Sequence, residues 1–375
     1  MRILFDYQAF NLQKYGGVSR FFCEMIPLLK ENFDCVISVR ESDNIHLHES
    51  GLIDNLQFCH HINWGVLNKY NFIGKHRINR CYESIFSNKT YSIKKIKEQD
   101  FDVFEPTFYE TYFLEYLKDK PFVLNIHDMI PELFPKYFLN DTQAEHKRLL
   151  CPLATHIFTP TEKTKEDLIN ILNINPEKIS VIYRGITTLP SPNKSEREKK
   201  PYLLYIGTRF NYKNFVPFVN CFATIVKKRK DLQLICTGPA FSDDEIKLIK
   251  DLKIGDNIHH IFADSELLSN LYSNASAFVF PSLYEGFGLP ILEAWSMGCP
   301  VLLNNASCFP EVAGDAALYF EMNESKNDFV EVLEYFLDMN NDERNNLIKK
   351  GFDRLSKYSW DNTTRLISET YYSIF

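Results

Sequence analysis

Glu285 and Glu293 are separated by seven residues in the stretch PSLYEGFGLPILEAWSMGCP, residues 281–300. Gly286, Gly288 and Pro290 lie between them. Proline suits the first turn of a helix, so the spacing places Glu285 on a loop and Glu293 on the helix that follows. The backbone N–H groups of Phe287, Gly288 and Leu289 then point from the helix start, where the dipole favours an anion. The two glycines let a phosphate approach the backbone closely. A carboxylate accepts hydrogen bonds from two neighbouring hydroxyls. Two carboxylates around an anion site fit a nucleotide sugar, one on the sugar and one on the ribose. The same residues also fit an ordinary strand–turn–helix with solvated glutamates.

Three further stretches could do chemistry. Arg209 and Lys213, in IGTRFNYKNF, follow an apolar strand and precede a helix. Fixed cations there could neutralise a diphosphate leaving group; they could equally be surface charge. His127 and Asp128, in FVLNIHDMIP, end another apolar strand. A histidine so placed can hydrogen-bond a sugar hydroxyl or act on a proton. In YGGVSR, residues 15–20, Gly16 and Gly17 let the chain pass close to a ligand, or simply make a turn.

The elements that must position these residues follow from hydrophobic periodicity. Apolar runs at 2–5, 34–39, 103–104, 122–126, 155–159 and 179–183 read as short buried strands, with helical patterns such as 19–29 and 164–172 between them. The second half repeats this. Strands are expected at 202–206, 232–237, 258–262, 277–280, 300–303 and 317–319, and helices at 214–228, 243–252 and 290–297. Such alternation implies parallel sheets with helices on both faces. The stretch LPSPNKSEREKKP, with three prolines and many charges, is a linker signature. We therefore expect a doubly wound domain over 1–188, a linker over 189–201 and a second doubly wound domain over 202–355. A C-terminal helix over 356–375 should pack back toward the first domain. Ligands of open parallel sheets bind beyond the carboxyl strand ends, so two such domains would share a cleft.

Composition narrows the function class. The 375 residues carry a net charge of -7, which argues against a nucleic-acid partner. The nine cysteines include no C-x-x-C pair, and the His46/His48 and His60/His61 pairs lack acidic or thiol partners at helical spacing, so no metal site is expected. The D-x-D at Asp100–Asp102 precedes a strand and so falls on its amino end, the wrong edge for catalysis. No G-x-G-x-x-G follows a strand, and G-x-x-x-x-G-K-[ST] is absent, which argues against dehydrogenases and P-loop NTPases. No apolar run is long enough to span a bilayer. The first residues carry Asp6 and lack the long apolar core of a signal peptide, so a cytoplasmic protein is expected. Residues 65–98 hold eight Lys and Arg among interleaved aromatics. They form either a solvated helical pair, the plainer reading, or a surface drawn to anionic lipid on the inner face of the membrane.

Taken in order, these stretches resemble the nucleotide-sugar glycosyltransferases of family 4, which are retaining enzymes of the GT-B fold. The likeness covers nearly the whole chain. It includes the E-x7-E signature in YEGFGLPILEA, the early Gly-Gly, the strand ending in His127-Asp128, and the flanking stretches ADSELLSNLYSNASAFVFPS and NNASCFPEVAGDAALYF. IGTRFNYKNF and DVFEPTFYE are similar to O-antigen and capsule mannosyltransferase-type members. The resemblance implies that Glu285 contacts donor-sugar hydroxyls, Glu293 the ribose, and Arg209 and Lys213 the diphosphate. Gly17 would line the phosphate side, with Gly286, Phe287, Gly288 and Leu289 completing the donor site, and His127 would touch the sugar. It further implies a GDP-mannose or UDP-hexose donor, no cofactor or metal, and a glycan acceptor on a polyprenyl-diphosphate lipid. A binding or scaffold subunit without activity is the alternative. Two positions depart from the family pattern. Arg209 stands two residues after Gly207 rather than next to it, and Arg184 precedes Gly185 where many relatives have Asn.

Overall fold

A computed structural model describes residues 1–54, 56, 87–192, 200–323 and 326–375. The first half contains β1 (Arg2–Phe5), β2 (Asp34–Ile37), β3 (Val103–Glu105), β4 (Val123–Asn125), β5 (His156–Thr159) and β6 (Ile179–Val181). They pair in parallel as β2-β1-β3 and β4-β5-β6, and a parallel bridge between Phe104 and Phe122 joins the two sets. The second half contains β7 (Tyr202–Tyr205), β8 (Gln233–Cys236), β9 (Ile258–His260), β10 (Ala277–Phe280), β11 (Val301–Asn304) and β12 (Leu318–Phe320). These form one parallel sheet in the order β12-β11-β10-β7-β8-β9. Strands such as β4, β7 and β10 are buried along their whole length, as both faces of a parallel sheet are covered by helices. Several strands stop one or two residues short of the apolar runs that announce them, where the chain turns into the loops of the carboxyl edge.

The helices that matter for the site are α1 (Gly17–Leu29), α2 (Glu162–Leu172), α3 (Asp243–Leu252), α4 (Leu289–Ser296), α5 (Asn341–Leu355) and α6 (Trp360–Ile374). Strand order reverses between β1 and β3 in one half and between β7 and β10 in the other. Connections leave in opposite directions at such a point and open a crevice at the carboxyl edge. The loops after β1, β4, β7 and β10 carry the residues singled out above.

The chain crosses between the halves after β6 and again between α5 and α6. The two crossings touch: Ile186 N–H donates to the Tyr358 carbonyl, and the Trp360 indole donates to Thr187 Oγ1 at 3.0 Å. α6 then packs on α1, burying Ile367 and Tyr371 in the core of the first half. The Tyr371 hydroxyl donates to Glu105, which also accepts from Asn125. Glu105 is fully buried, and burial pushes its carboxyl from an ordinary 4.5 up to about 8 against the pull of Tyr371, Arg184 and Asn125. Between those values the folded state holds a proton that the unfolded chain has lost. Stability from this group is therefore present below pH 4.5 and falls as pH rises toward 8, at up to about 1.4 kcal/mol per pH unit. Glu105→Gln should remove this slope, so its thermal midpoint should gain on wild type between pH 5 and 8. Parallel melting curves for both proteins would show no Glu105 contribution.

Candidate active site

The two carboxyl edges face each other across a cavity of about 510 Å³. That is the size of a small-molecule site. The first half lines it with Gly17, Arg20 and Phe21 of α1, and with His127, Asp128 and the segment Arg184–Thr187. The second half contributes Gly207, Thr208, Tyr212, Lys213, the run Glu285–Pro290 and Glu293.

Glu285 follows β10. Its carboxylate takes a hydrogen bond from Lys213 Nζ at 2.6 Å, and both side chains are largely shielded from solvent. Ser307 fixes the Glu285 backbone in both directions, accepting from its N–H and donating to its carbonyl. Burial alone would lower the Lys213 ammonium; Glu285, Tyr212 and Asp128 outweigh it and hold the group above its ordinary value. Lys213 is thus a permanent cation, placed by the short 3-10 turn Asn211–Lys213 after β7.

Glu293 sits on α4, one turn in. It accepts from the Tyr272 hydroxyl at 3.2 Å and from Arg20 Nη1 at 2.9 Å. Arg20 comes from the other half, so this ion pair crosses the cleft. Between the two glutamates the backbone turns at Gly288, with φ of +95°, and Pro290 opens α4 with no side-chain cap. The helix start therefore faces the cavity with no side chain closing it, the arrangement that attracts anions.

Gly286 explains how closely the halves meet. A Cβ there would lie 1.9 Å from the His127 carbonyl oxygen. Around this contact, Thr161 Oγ1 donates to the Gly286 carbonyl at 3.1 Å, and the Tyr284 hydroxyl donates to Asp167 at 2.7 Å. Glu311 accepts from the Glu162 and Lys163 N–H groups at the start of α2. Gly17 differs: a Cβ there would meet nothing within 4 Å, because it borders the cavity.

His127 lies two residues beyond β4 and lines the cavity beside Phe21 and Phe22. Burial, then Arg184 and Lys147, hold its ring well below the ordinary histidine value, so it is neutral at pH 7.

Arg209 is a correction. Its side chain is only 4% exposed and is not among the groups that line the cavity. Its guanidinium donates to Glu245 at 2.8 Å and to the carbonyls of Pro239 and Ala240. Glu245 is the capping-box residue of α3, so Arg209 ties the loop after β7 to the start of that helix. A position two residues beyond Gly207 turns toward the β8 loop. The cations that do line the cavity are Arg20, Arg184 and Lys213. Arg20 was legible in principle, since it lies three residues after Gly17 on α1 and so shares its face.

Asp100 and Asp102 lie at the amino edge of the first sheet. Asp102 accepts from the Arg2 backbone N–H, and Asp100 pairs with the Arg2 guanidinium. Residues 65–86 of the basic–aromatic segment, His60, His61 and linker residues 193–199 lie outside the described residues. In the remainder of the segment, Lys89 pairs with Glu110, Lys95 pairs with Glu98, and Lys97 lies over the Tyr116 ring. No helix among the described residues is long and apolar enough to cross a membrane.

Comparison with known proteins agrees with this geometry. Residues 15–188 match the model for Glycosyltransferase Family 4, and residues 190–354 match that for Glycosyl transferases group 1. The chain is 29% identical over 212 residues to the O-antigen chain mannosyltransferase RfbU of Salmonella typhimurium, covering 54% of this chain and 57% of that one. It is 28% identical over 283 residues to O-antigen chain mannosyltransferase B of Escherichia coli, covering 71% and 72%. The match thus spans little more than half the length of the Salmonella relative. The Anabaena protein HepE, solved in complex with UDP-glucose, superposes over the full length of both chains with a TM-score of 0.74 at 14% identity. Two facing doubly wound halves, an E-x7-E loop and helix at the cleft, and family matches over both halves place the chain in glycosyltransferase family 4, with the GT-B fold.

Proposed function

We propose that the chain transfers a hexosyl unit, mannose before other hexoses, from a nucleoside-diphosphate sugar to a growing glycan carried on a polyprenyl-diphosphate lipid. The observation that carries this reading is the placement of Glu285, Lys213 and the open start of α4 around one cavity, with Glu293 a turn further on. Glu285 accepts from the donor-sugar hydroxyls and Glu293 from the ribose. Lys213 and the helix start receive the charge that develops on the departing diphosphate. The relatives named as O-antigen chain mannosyltransferases support mannose, and a Campylobacter jejuni relative named for a diphospho-undecaprenol substrate supports a lipid-carried glycan.

Transfer proceeds with retention in this reading. The bond from the anomeric carbon to the phosphate oxygen breaks, the bond to the acceptor oxygen forms on the same face, and the acceptor proton passes to the leaving phosphate. Fixed cations do the work that a divalent metal does elsewhere. Asp100 and Asp102, the D-x-D pair, are on the opposite sheet edge and engaged by Arg2.

The test is direct. Radiolabelled GDP-mannose and UDP-hexoses are incubated with lipid-linked and free glycans in excess EDTA. Expected is transfer of one sugar to the lipid-linked acceptor, with the anomeric configuration of the donor kept. Inversion, or loss of activity in EDTA restored by manganese, would refute the mechanism. Donor binding with no transfer to any acceptor would favour the scaffold alternative.

A further inference from the structure

Arg184 is buried beneath α1. Its guanidinium carbon lies 3.5 Å from the centroid of the Phe21 ring, and Nη2 is 2.8 Å from Nδ1 of His127. An arginine has donors only. The Nδ1 it touches must therefore carry a lone pair, and the proton of the neutral ring must sit on Nε2. The His127 Nε2 is itself buried and has no hydrogen-bond partner among the described residues. A buried polar group without a partner calls for an explanation, and His127 lines the cavity, where a ligand oxygen can supply the missing acceptor.

We propose that Arg184 is a positioning residue that locks His127 in the Nε2–H tautomer, making it a fixed hydrogen-bond donor to a substrate oxygen rather than a base. This rests on reading the cleft as a sugar-nucleotide site. Taking a proton at Nε2 would require the opposite tautomer and would leave an imidazolium, each with an Nδ1–H pointing at a cation. Both oppose the Arg184 contact. The acceptor proton must then leave by another route, and the departing phosphate supplies one.

The groups around the ring are consistent with a neutral donor. Arg184 meets Nδ1, and Lys147, paired with Glu132 and bonded to the Asp128 carbonyl, stands nearby. The Tyr109 hydroxyl accepts the His127 backbone N–H, and Asp128 follows in the chain. Lys213 and Glu285 line the other half of the same cavity. Arg184 is lowered to about 9 by burial, with Tyr109 and Glu105 opposing, and so is still charged at pH 7.

Nitrogen-15 NMR of histidine-labelled protein reads the tautomer without any turnover. Wild type should show His127 protonated on Nε2 alone from neutral pH down into the ordinary histidine range. Arg184→Met keeps the length and removes the donors, and should give a mixed tautomer that titrates at higher pH. Its kcat/KM should fall about two- to threefold at neutral pH, in proportion to the rings that lose Nε2–H. It should recover as pH falls, because an imidazolium again carries a proton on Nε2. Arg184→Lys, which keeps a donor, should stay nearer wild type. A merely structural arginine would not give a loss reversed by acid. Nε2–H in wild type together with release in Arg184→Met supports the proposal even if no sugar is transferred, an outcome that would instead sink the proposed reaction. Nδ1–H in the wild-type protein overturns the proposal, whatever the variants do.

Discussion

Glu285→Gln should lower turnover by about 10²–10³-fold, the usual cost of one contact made to charge developing in a transition state. The substitution keeps size and leaves a carbonyl for Lys213, so the fold should survive it. Lys213→Ala should cost at least as much and also weaken donor binding. It removes the cation meant for the diphosphate and leaves the shielded Glu285 carboxylate without its partner at 2.6 Å. Because the two side chains touch, the double variant should lose less than the two single losses multiplied together. Steady-state rates for the three variants, with melting curves to exclude unfolding, decide this. If Glu285→Gln keeps more than half of wild-type turnover, the role given to this carboxylate is wrong. Arg209→Ala makes a useful contrast. It should lower the thermal midpoint through the lost tie to α3, without the change in donor affinity that loss of Lys213 brings.

Gly286→Ala should reduce turnover by about 10²-fold through geometry alone, the cost of displacing reacting groups by about 1 Å. Its methyl group would fall 1.9 Å from the His127 carbonyl oxygen. A carbon and a carbonyl oxygen need roughly 3.3 Å between them. The halves must therefore part by more than an ångström, which also strains the Thr161–Gly286, Tyr284–Asp167 and Glu311–α2 contacts. Tyr284 of the second half is buried in the core of the first, so the thermal midpoint should fall as well, while donor binding to the second half should persist. Small-angle scattering should show a larger radius of gyration. Wild-type turnover in Gly286→Ala would mean that transfer takes place in an arrangement other than this closed one.

Much of the fold was legible because it rests on short-range rules. Runs such as Tyr202–Tyr205 and Ala277–Phe280 are short, apolar throughout and rich in aromatics, which favours buried parallel strands over helices. The Gly288–Pro290 turn announces the start of α4, with Glu293 on the helix behind it. Strand lengths were less legible, since a ladder ends where the neighbouring strand ends and that neighbour is remote in sequence.

The sequence by itself determined the doubly wound halves, the E-x7-E loop and helix, and the lysine and histidine placed at strand ends. These follow from periodicity and from which side of a strand a loop leaves. Tertiary structure alone decided which charged groups enter the cleft. Arg209 and Lys213 share one loop, yet Arg209 is drawn to Glu245 and Lys213 to Glu285, because each partner arrives from a different strand end. Arg20 reaches Glu293, and Arg184 reaches His127, across separations of 273 and 57 residues. A charge on a loop can turn either way, and its direction is fixed by the nearest shielded counter-charge or hydrogen-bond acceptor, which no local pattern of residues encodes.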